Sequence, residues 1–266
     1  MKRLKILTPS FYALYSHNYS FSTKIFYRKI NEIELDLNNN NILSALNSFM
    51  IEGEIIDTNK FLEYKSQAQK TTQKSFLIAD DIIKTYEFAQ KNQLTAENIL
   101  KAHKICSKNL LPAKERGIFR TDNLILKSHK SKNIYAPPTA DAIPSYFSGY
   151  TNDISLLLKR DLRLNMAFYY AAYLHIAFLH ISPFAGLNGI MARIIEKWFL
   201  SHKLDRKSWF IASEEFYYLN RRNYFENISK IGGDFEHRNY EIKQDFVLML
   251  PNSLEIQAAR INPLSE

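Results

Sequence analysis

The residues with the clearest chemical potential lie in one short stretch. Pro183-Phe184 follow a long apolar run, and Asn188-Gly189 open a helical pattern that reaches Arg193 one turn later. The first backbone N–H groups of a helix have no internal partners and carry the positive end of its dipole, so they attract anions. Arg193 comes four residues after Gly189 and could reach the same anion. Helix starts containing glycine are common, so this pattern suits a phosphate without singling one out. His175 and His180 are five residues apart, about 140° around a helix, which is wrong for the i, i+4 pair of a helical metal site. Both read as buried, hydrogen-bonded core histidines. Cys106 is the single cysteine, which excludes an internal disulfide and a cysteine-based zinc site. It falls in an apolar-periodic stretch and reads as an inert buried thiol.

The elements that must position these residues are helices. The chain of 266 residues has seven glycines, where ~7% would give about nineteen. With 46% hydrophobic residues and eight prolines it has a sizeable core and few breakers. A β protein of this length would need a turn every ~8–12 residues and the glycines to make them. Collagen-like, disordered and repetitive classes are excluded. Lys and Arg outnumber Asp and Glu by 35 to 27, a net charge of +8, which would suit a nucleic acid, an acidic partner or an anionic ligand. The basic residues are spread along the whole chain and no DNA-reading module is recognisable, so nucleic acid is not the expected partner. The most apolar run, Met166 to Ile181, has sixteen residues, short of the ~20 that a membrane span needs. A cytoplasmic protein without membrane contact is expected, and a homo-oligomer is left open.

Helices are predicted over residues 23–37, ending in the run Asn38–Asn41, and over 42–51, ending at Glu52-Gly53. A long polar helix capped by Thr58 or Asn59 should reach Lys74 and continue as the periodic run from Phe76 to Tyr86. Thr95 caps a fifth helix with Ile99, Leu100, His103 and Cys106 on its apolar face. Leu124 to Lys127 and Ile134 to Ala136 read as a short β-hairpin around the basic turn 128–132. Pro137-Pro138 ends it, and Ile143-Pro144 opens another helix with proline in its first turn. Asp161 should cap the apolar helix ending near Ile181. A loop then leads to a helix from Asn188 to about His202, followed by helices near 214–230 and 240–259. Arg221-Arg222 and Lys203-Arg206-Lys207 read as solvent-facing helix ends.

The stretch Ser182-Pro183-Phe184-Ala185-Gly186-Leu187-Asn188-Gly189-Ile190-Met191-Ala192-Arg193 resembles the signature of Fic (Fido) domain proteins, H-P-F-x-[D/E]-G-N-G-R-x-x-R. His175-x-x-Phe178 is similar to that family's lead-in. Gly117-Ile118-Phe119-Arg120 resembles its G-x-[YF]-R, and Tyr135-Ala136-Pro137-Pro138 resembles its target-docking flap. Ser48-Phe49-Met50-Ile51-Glu52-Gly53 matches the inhibitory pattern [S/T]-x-x-x-E-[G/N]. The resemblance implies an all-α fold with a short β-hairpin flap. It divides the chain into an N-terminal helical segment (1–40), a core (41–230) with inhibitory helix 42–53 and flap 124–138, and a C-terminal helical segment (231–266). It also implies transfer of AMP from Mg-ATP to a hydroxyl of a target protein, docked on the flap at Ile134, Tyr135 and Ala136.

The chain departs from that signature where the chemistry lies. Ser182 stands at the place of the general-base histidine and has no useful basicity near neutral pH. Gly186 stands at the place of the magnesium-binding acid and offers only a carbonyl. Leu187 replaces a glycine beside the phosphate, and Ile190 replaces the first arginine. Pro183, Phe184, Asn188, Gly189 and Arg193 remain. Losing a general base removes ~10²–10⁴ in rate, and losing a charge-stabilising donor ~10²–10³. The expectation is a catalytically impaired relative that binds a protein partner, without ATP or magnesium as a working cofactor. The alternative is a transferase with altered chemistry, moving AMP or another phosphate-containing group with both. Glu52 is expected to meet Arg193, as a lock on nucleotide binding or as the counter-charge of a buried arginine; the second is preferred.

Overall fold

The computed structural model describes residues 12–18, 36–67, 71–127, 134–230, 235 and 244–261. Elements are labelled in chain order within them. The helices are α1 (Tyr12–Asn18), α2 (Leu37–Ile51), α3 (Thr58–Ser66), α4 (Lys74–Lys91), α5 (Ala96–Cys106), α6 (Ile143–Lys159), α7 (Leu164–Ile181), α8 (Asn188–Lys203), α9 (Ser213–Leu219), α10 (Arg221–Ser229) and α11 (Gln244–Ile261). Two short strands, β1 (Leu126–Lys127) and β2 (Ile134–Tyr135), pair antiparallel with Leu126 opposite Tyr135. The molecule is helical, as the glycine scarcity predicts. The turn 128–133, and with it the basic turn, lies outside the described residues, as do residues 23–35 of the helix predicted over 23–37.

The centre is the antiparallel pair α7–α8. α7 carries fourteen buried residues, and its middle from Ala167 to Phe178 is enclosed on all sides, as a helix without a polar stripe requires. α2 packs against α4, α8 and α9, so the predicted inhibitory helix is part of the core. None of the helices among the described residues is long and apolar enough to cross a membrane.

Several boundaries follow the sequence. Thr95 caps α5 by accepting the Asn98 N–H, Pro144 lies in the first turn of α6, and α8 starts at Asn188. Others differ for local reasons. The asparagine run does not end a helix; it lies in the first turns of α2, because the Asp36 side chain accepts the N–H groups of Asn38 and Asn39. Asp57, one residue earlier than expected, caps α3, and the long polar helix is two helices because α3 stops at Ser66. Asp161 caps nothing: Arg163 holds the N-cap of α7 without a side-chain bond. The segment predicted over 214–230 is divided into α9 and α10 at Asn220.

Candidate functional site

The site is built where α7 ends. Ser182 turns into the left-handed conformation at φ 41°, ψ 64° and terminates the helix. Its N–H still donates to the Phe178 carbonyl at 2.9 Å, and its hydroxyl donates to the Leu179 carbonyl at 2.6 Å. With 1% of the residue exposed, both protons are committed to capping, and nothing about the oxygen is basic or outward-facing.

Arg120 pins this turn to the stretch after the hairpin. Its N–H donates to the Pro183 carbonyl at 2.9 Å. Its Nε donates to the Ser182 carbonyl at 2.8 Å, Nη1 to that of Asp122 at 2.7 Å and Nη2 to that of Pro138 at 2.5 Å. Only a planar guanidinium fork reaches three carbonyls in this way.

His103 supports the loop from below. The fully buried Phe184 ring stacks on it at 3.7 Å between centroids with 3° between planes. Its Nδ1 accepts the Gly117 N–H at 3.0 Å, which places the proton on Nε2, facing the Gly186 carbonyl at 3.3 Å. Gly117 itself is fixed: φ is 73°, and a Cβ would stand 2.7 Å from the Leu100 carbonyl oxygen. Burial brings the His103 pKa down to about 4, so the ring is neutral at neutral pH.

Asn188 closes the loop above. Its Oδ1 accepts the Phe184 N–H at 3.1 Å and its Nδ2 donates to the Phe184 carbonyl at 2.9 Å. Leu187, the N-cap of α8, is left-handed at φ 61°, ψ 16°, a conformation that costs a leucine ~1–2 kcal/mol. Its side chain is half-buried and packs on the core. Ile190 is wholly buried. At Gly186 a Cβ would meet only the Leu111 side chain, at 3.4 Å, so packing does not demand glycine there.

The expected partnership of Glu52 and Arg193 is present. Glu52 Oε1 lies 2.5 Å from Arg193 Nη2, and a Cβ on Gly189 would collide with the same carboxylate. Arg193 is fully buried. Its Nε donates to the Ser48 hydroxyl at 2.8 Å, Nη2 to the Ser48 carbonyl at 3.0 Å and Nη1 to the Tyr224 hydroxyl at 3.1 Å. Four residues on, the buried Lys197 donates to the Ser44 hydroxyl at 3.0 Å and pairs with Glu214 at 2.5 Å. Each step of four along α2 and onto its C-cap (Ser44, Ser48, Glu52) thus meets a step of four back along α8 (Lys197, Arg193, Gly189).

The polar chain continues inward. Tyr224 also contacts Nε2 of His175 at 2.9 Å, whose Nδ1 lies 2.8 Å from Glu196, and the Tyr217 hydroxyl donates to Glu196 at 2.9 Å. His175 is therefore the bonded core histidine expected. Cys106 is buried, and burial pushes its thiol up to about 12. Arg221, expected in solvent, donates to the Ile51 carbonyl at 2.6 Å and holds the C-terminus of α2 ahead of Gly53. Lys203, also expected in solvent, donates to the Leu158 carbonyl at 3.2 Å. Sequence reasoning left Glu196, Lys197, Glu214, Tyr224 and the bonding role of His103 unnamed. The available signal was three charges at 193, 196 and 197 within the otherwise apolar stretch Ile190–Leu200 of α8, which has to bury them together.

At the hairpin, the Tyr135 hydroxyl donates to the His180 carbonyl at 2.9 Å, the rings 5.1 Å apart, and the Ala136 carbonyl accepts the Phe235 N–H at 3.1 Å. The Ile134 side chain lies outside the described residues. The loop does not fit magnesium: the one oxygen at the expected ligand place, the Gly186 carbonyl, faces the His103 N–H. Nor does the start of α8 fit a phosphate in this conformation, since the Glu52 carboxylate covers Gly189.

A family model described as Fic/DOC family matches residues 93–200. A Fic family protein from Desulfovibrio desulfuricans G20 superimposes with a TM-score of 0.73 at 13% identity, covering 100% of this chain and 78% of that one. A Fic domain containing signaling protein from Bacteroides thetaiotaomicron VPI-5482 gives 0.67 at 13% identity, covering 96% of each chain. Fic-1 (residues 134–508) from C. elegans gives 0.62 at 13% identity, covering 97% of this chain and 71% of that one. At such identities the superpositions establish the fold. No curated protein matches the chain by sequence.

Proposed function

We propose that this chain, whose residues 93–200 match the Fic/DOC family model, does not transfer AMP and acts by binding a protein partner at its hairpin flap. The observation that carries the reading is Ser182. At the place of the family histidine stands a hydroxyl that is 1% exposed and donates to the Leu179 carbonyl, so no group there accepts a proton from a target hydroxyl. The bonded Gly186 carbonyl and the Glu52 carboxylate over Gly189 support the same conclusion.

A second reading, a transferase moving AMP or another phosphate-containing group by altered chemistry, has one observation in its favour. The loop keeps its shape: Asn188 still clamps Phe184, and Leu187 holds a left-handed conformation natural to glycine. In that reading ATP and magnesium are required and Glu52 must move.

Incubation with α-labelled ATP, magnesium and lysate separates the two. The unmodified chain is expected to transfer no label. A variant with Ser182→His, Gly186→Asp, Leu187→Gly and Glu52→Gly is expected to gain transfer. Because Ile190 is wholly buried, an arginine there must reorient to avoid an unpaired buried charge, so Ile190→Arg is added separately. Label transfer by the unmodified chain sinks the first reading.

A further inference from the structure

Past β2, the edge of the hairpin is already occupied. Ala136 lies in an isolated β-bridge, and its carbonyl accepts the N–H of Phe235 at 3.1 Å. The Phe235 ring is 1% exposed. It packs edge-on against Tyr146 of α6, 4.5 Å between centroids and 65° between planes, a favoured aromatic geometry. A residue distant in the chain therefore makes, within one molecule, both contacts by which an added strand is recognised. The backbone hydrogen bond supplies affinity and the side-chain pocket supplies selectivity.

We propose that the edge at Ala136, with the Tyr146 face beside it, selects an aromatic residue presented through its backbone N–H. Phe235 fills this place in cis, and an incoming segment has to displace it. The consequence for targets rests on the flap-docking reading above; the occupancy by Phe235 does not. An intramolecular occupant acts at an effective concentration of the order of millimolar. It lowers the apparent affinity of a competitor by the fraction of molecules in which the edge is open.

The probe is a synthetic peptide of residues 231–239, titrated against the full chain and its Phe235→Ala variant. The peptide is expected to bind the variant roughly tenfold or more tightly than the unmodified chain. The same peptide with alanine in place of its phenylalanine is expected to bind neither. Equal binding to both chains, or to neither, overturns the proposal. Should Phe235→Ala fail to fold, hydrogen exchange on the unmodified chain decides: a protected Phe235 amide is expected, and exchange at the free-peptide rate overturns it. If the peptide enters the opened edge yet no cellular protein competes with it, the partner reading fails and the occupancy stands.

Discussion

Glu52 and Arg193 close one end of an antiparallel seam between α2 and α8, 2.5 Å apart, with the glutamate also covering Gly189. The two ends of the pair differ in environment. The Arg193 side chain is 0% exposed while that of Glu52 is 34% exposed. Arg193 has Ser48 and Tyr224 as further partners, so it is held by the helix as a whole and by α10. Glu52 adds the counter-charge at the rim, where water reaches it.

Arg193→Met should therefore cost far more stability than Glu52→Gln. Removing the arginine leaves the Ser48 hydroxyl and carbonyl without their buried donor and takes from the Tyr224 hydroxyl one of its two partners, His175 being the other, a loss of ~3–5 kcal/mol at ~1–3 kcal/mol for each buried group left unsatisfied. Glu52→Gln keeps an oxygen facing Nη2 in a partly solvated position, a loss of ~1–2 kcal/mol. Urea denaturation of both variants checks this. Equal losses would mean that the carboxylate alone retains the arginine.

Lys197 and Glu214 are 0% and 1% exposed, and Glu214 also accepts the Tyr86 hydroxyl at 2.7 Å. Lys197→Met strands a buried carboxylate and should cost ~3–5 kcal/mol. Adding Glu214→Gln, which keeps an acceptor for Tyr86 and removes the charge, should recover at least half of that loss. If the double variant is no more stable than Lys197→Met alone, the penalty is one of shape and not of unpaired charge.

The two ends of α2 show what was legible in the sequence. Its C-terminal Ser48–Gly53 pattern was readable because it matched a known arrangement, and Glu52 does meet Arg193. Its N-terminus was not. Asparagine has weak helix propensity, and the bonds that offset it come from far away in the chain: Asn40 donates to the Trp209 carbonyl at 2.8 Å, and Asn41 exchanges two hydrogen bonds with Gln90. Tertiary partners of this kind leave no local signature. The same holds for His103, which periodicity placed on an apolar face. That face is the underside of the motif loop, and the ring serves as both ring stack and hydrogen-bonding strut.

The His103 strut should make stability pH-dependent. Its pKa in the folded chain is about 4, lowered by burial from the ordinary 6.5. Between these values the unfolded chain binds the additional proton, so stability rises with pH. The contribution is complete above about pH 6.5 and is lost as pH falls towards 4, at most ~3 kcal/mol. Protonation also removes the acceptor of the Gly117 N–H. The expected result is a falling unfolding midpoint from pH 7 to 4, with a shallower slope in His103→Gln. Parallel slopes in the two proteins would exclude His103 as the titrating group.

Leu187 tests whether the loop stores strain. At φ 61° a leucine pays ~1–2 kcal/mol that glycine does not, but Leu187→Gly also loses a half-buried side chain and adds ~0.5–1 kcal/mol of chain entropy on unfolding. These terms oppose each other, so Leu187→Gly should change stability by less than ~1 kcal/mol. Leu187→Val keeps an apolar side chain yet places a β-branched residue where φ is positive, and should destabilise by more than ~1 kcal/mol. Thermal unfolding of the two variants reads the difference directly. If valine is tolerated as well as glycine, the left-handed turn at residue 187 is not a constraint on this loop, and its shape is set by the Asn188 clamp alone.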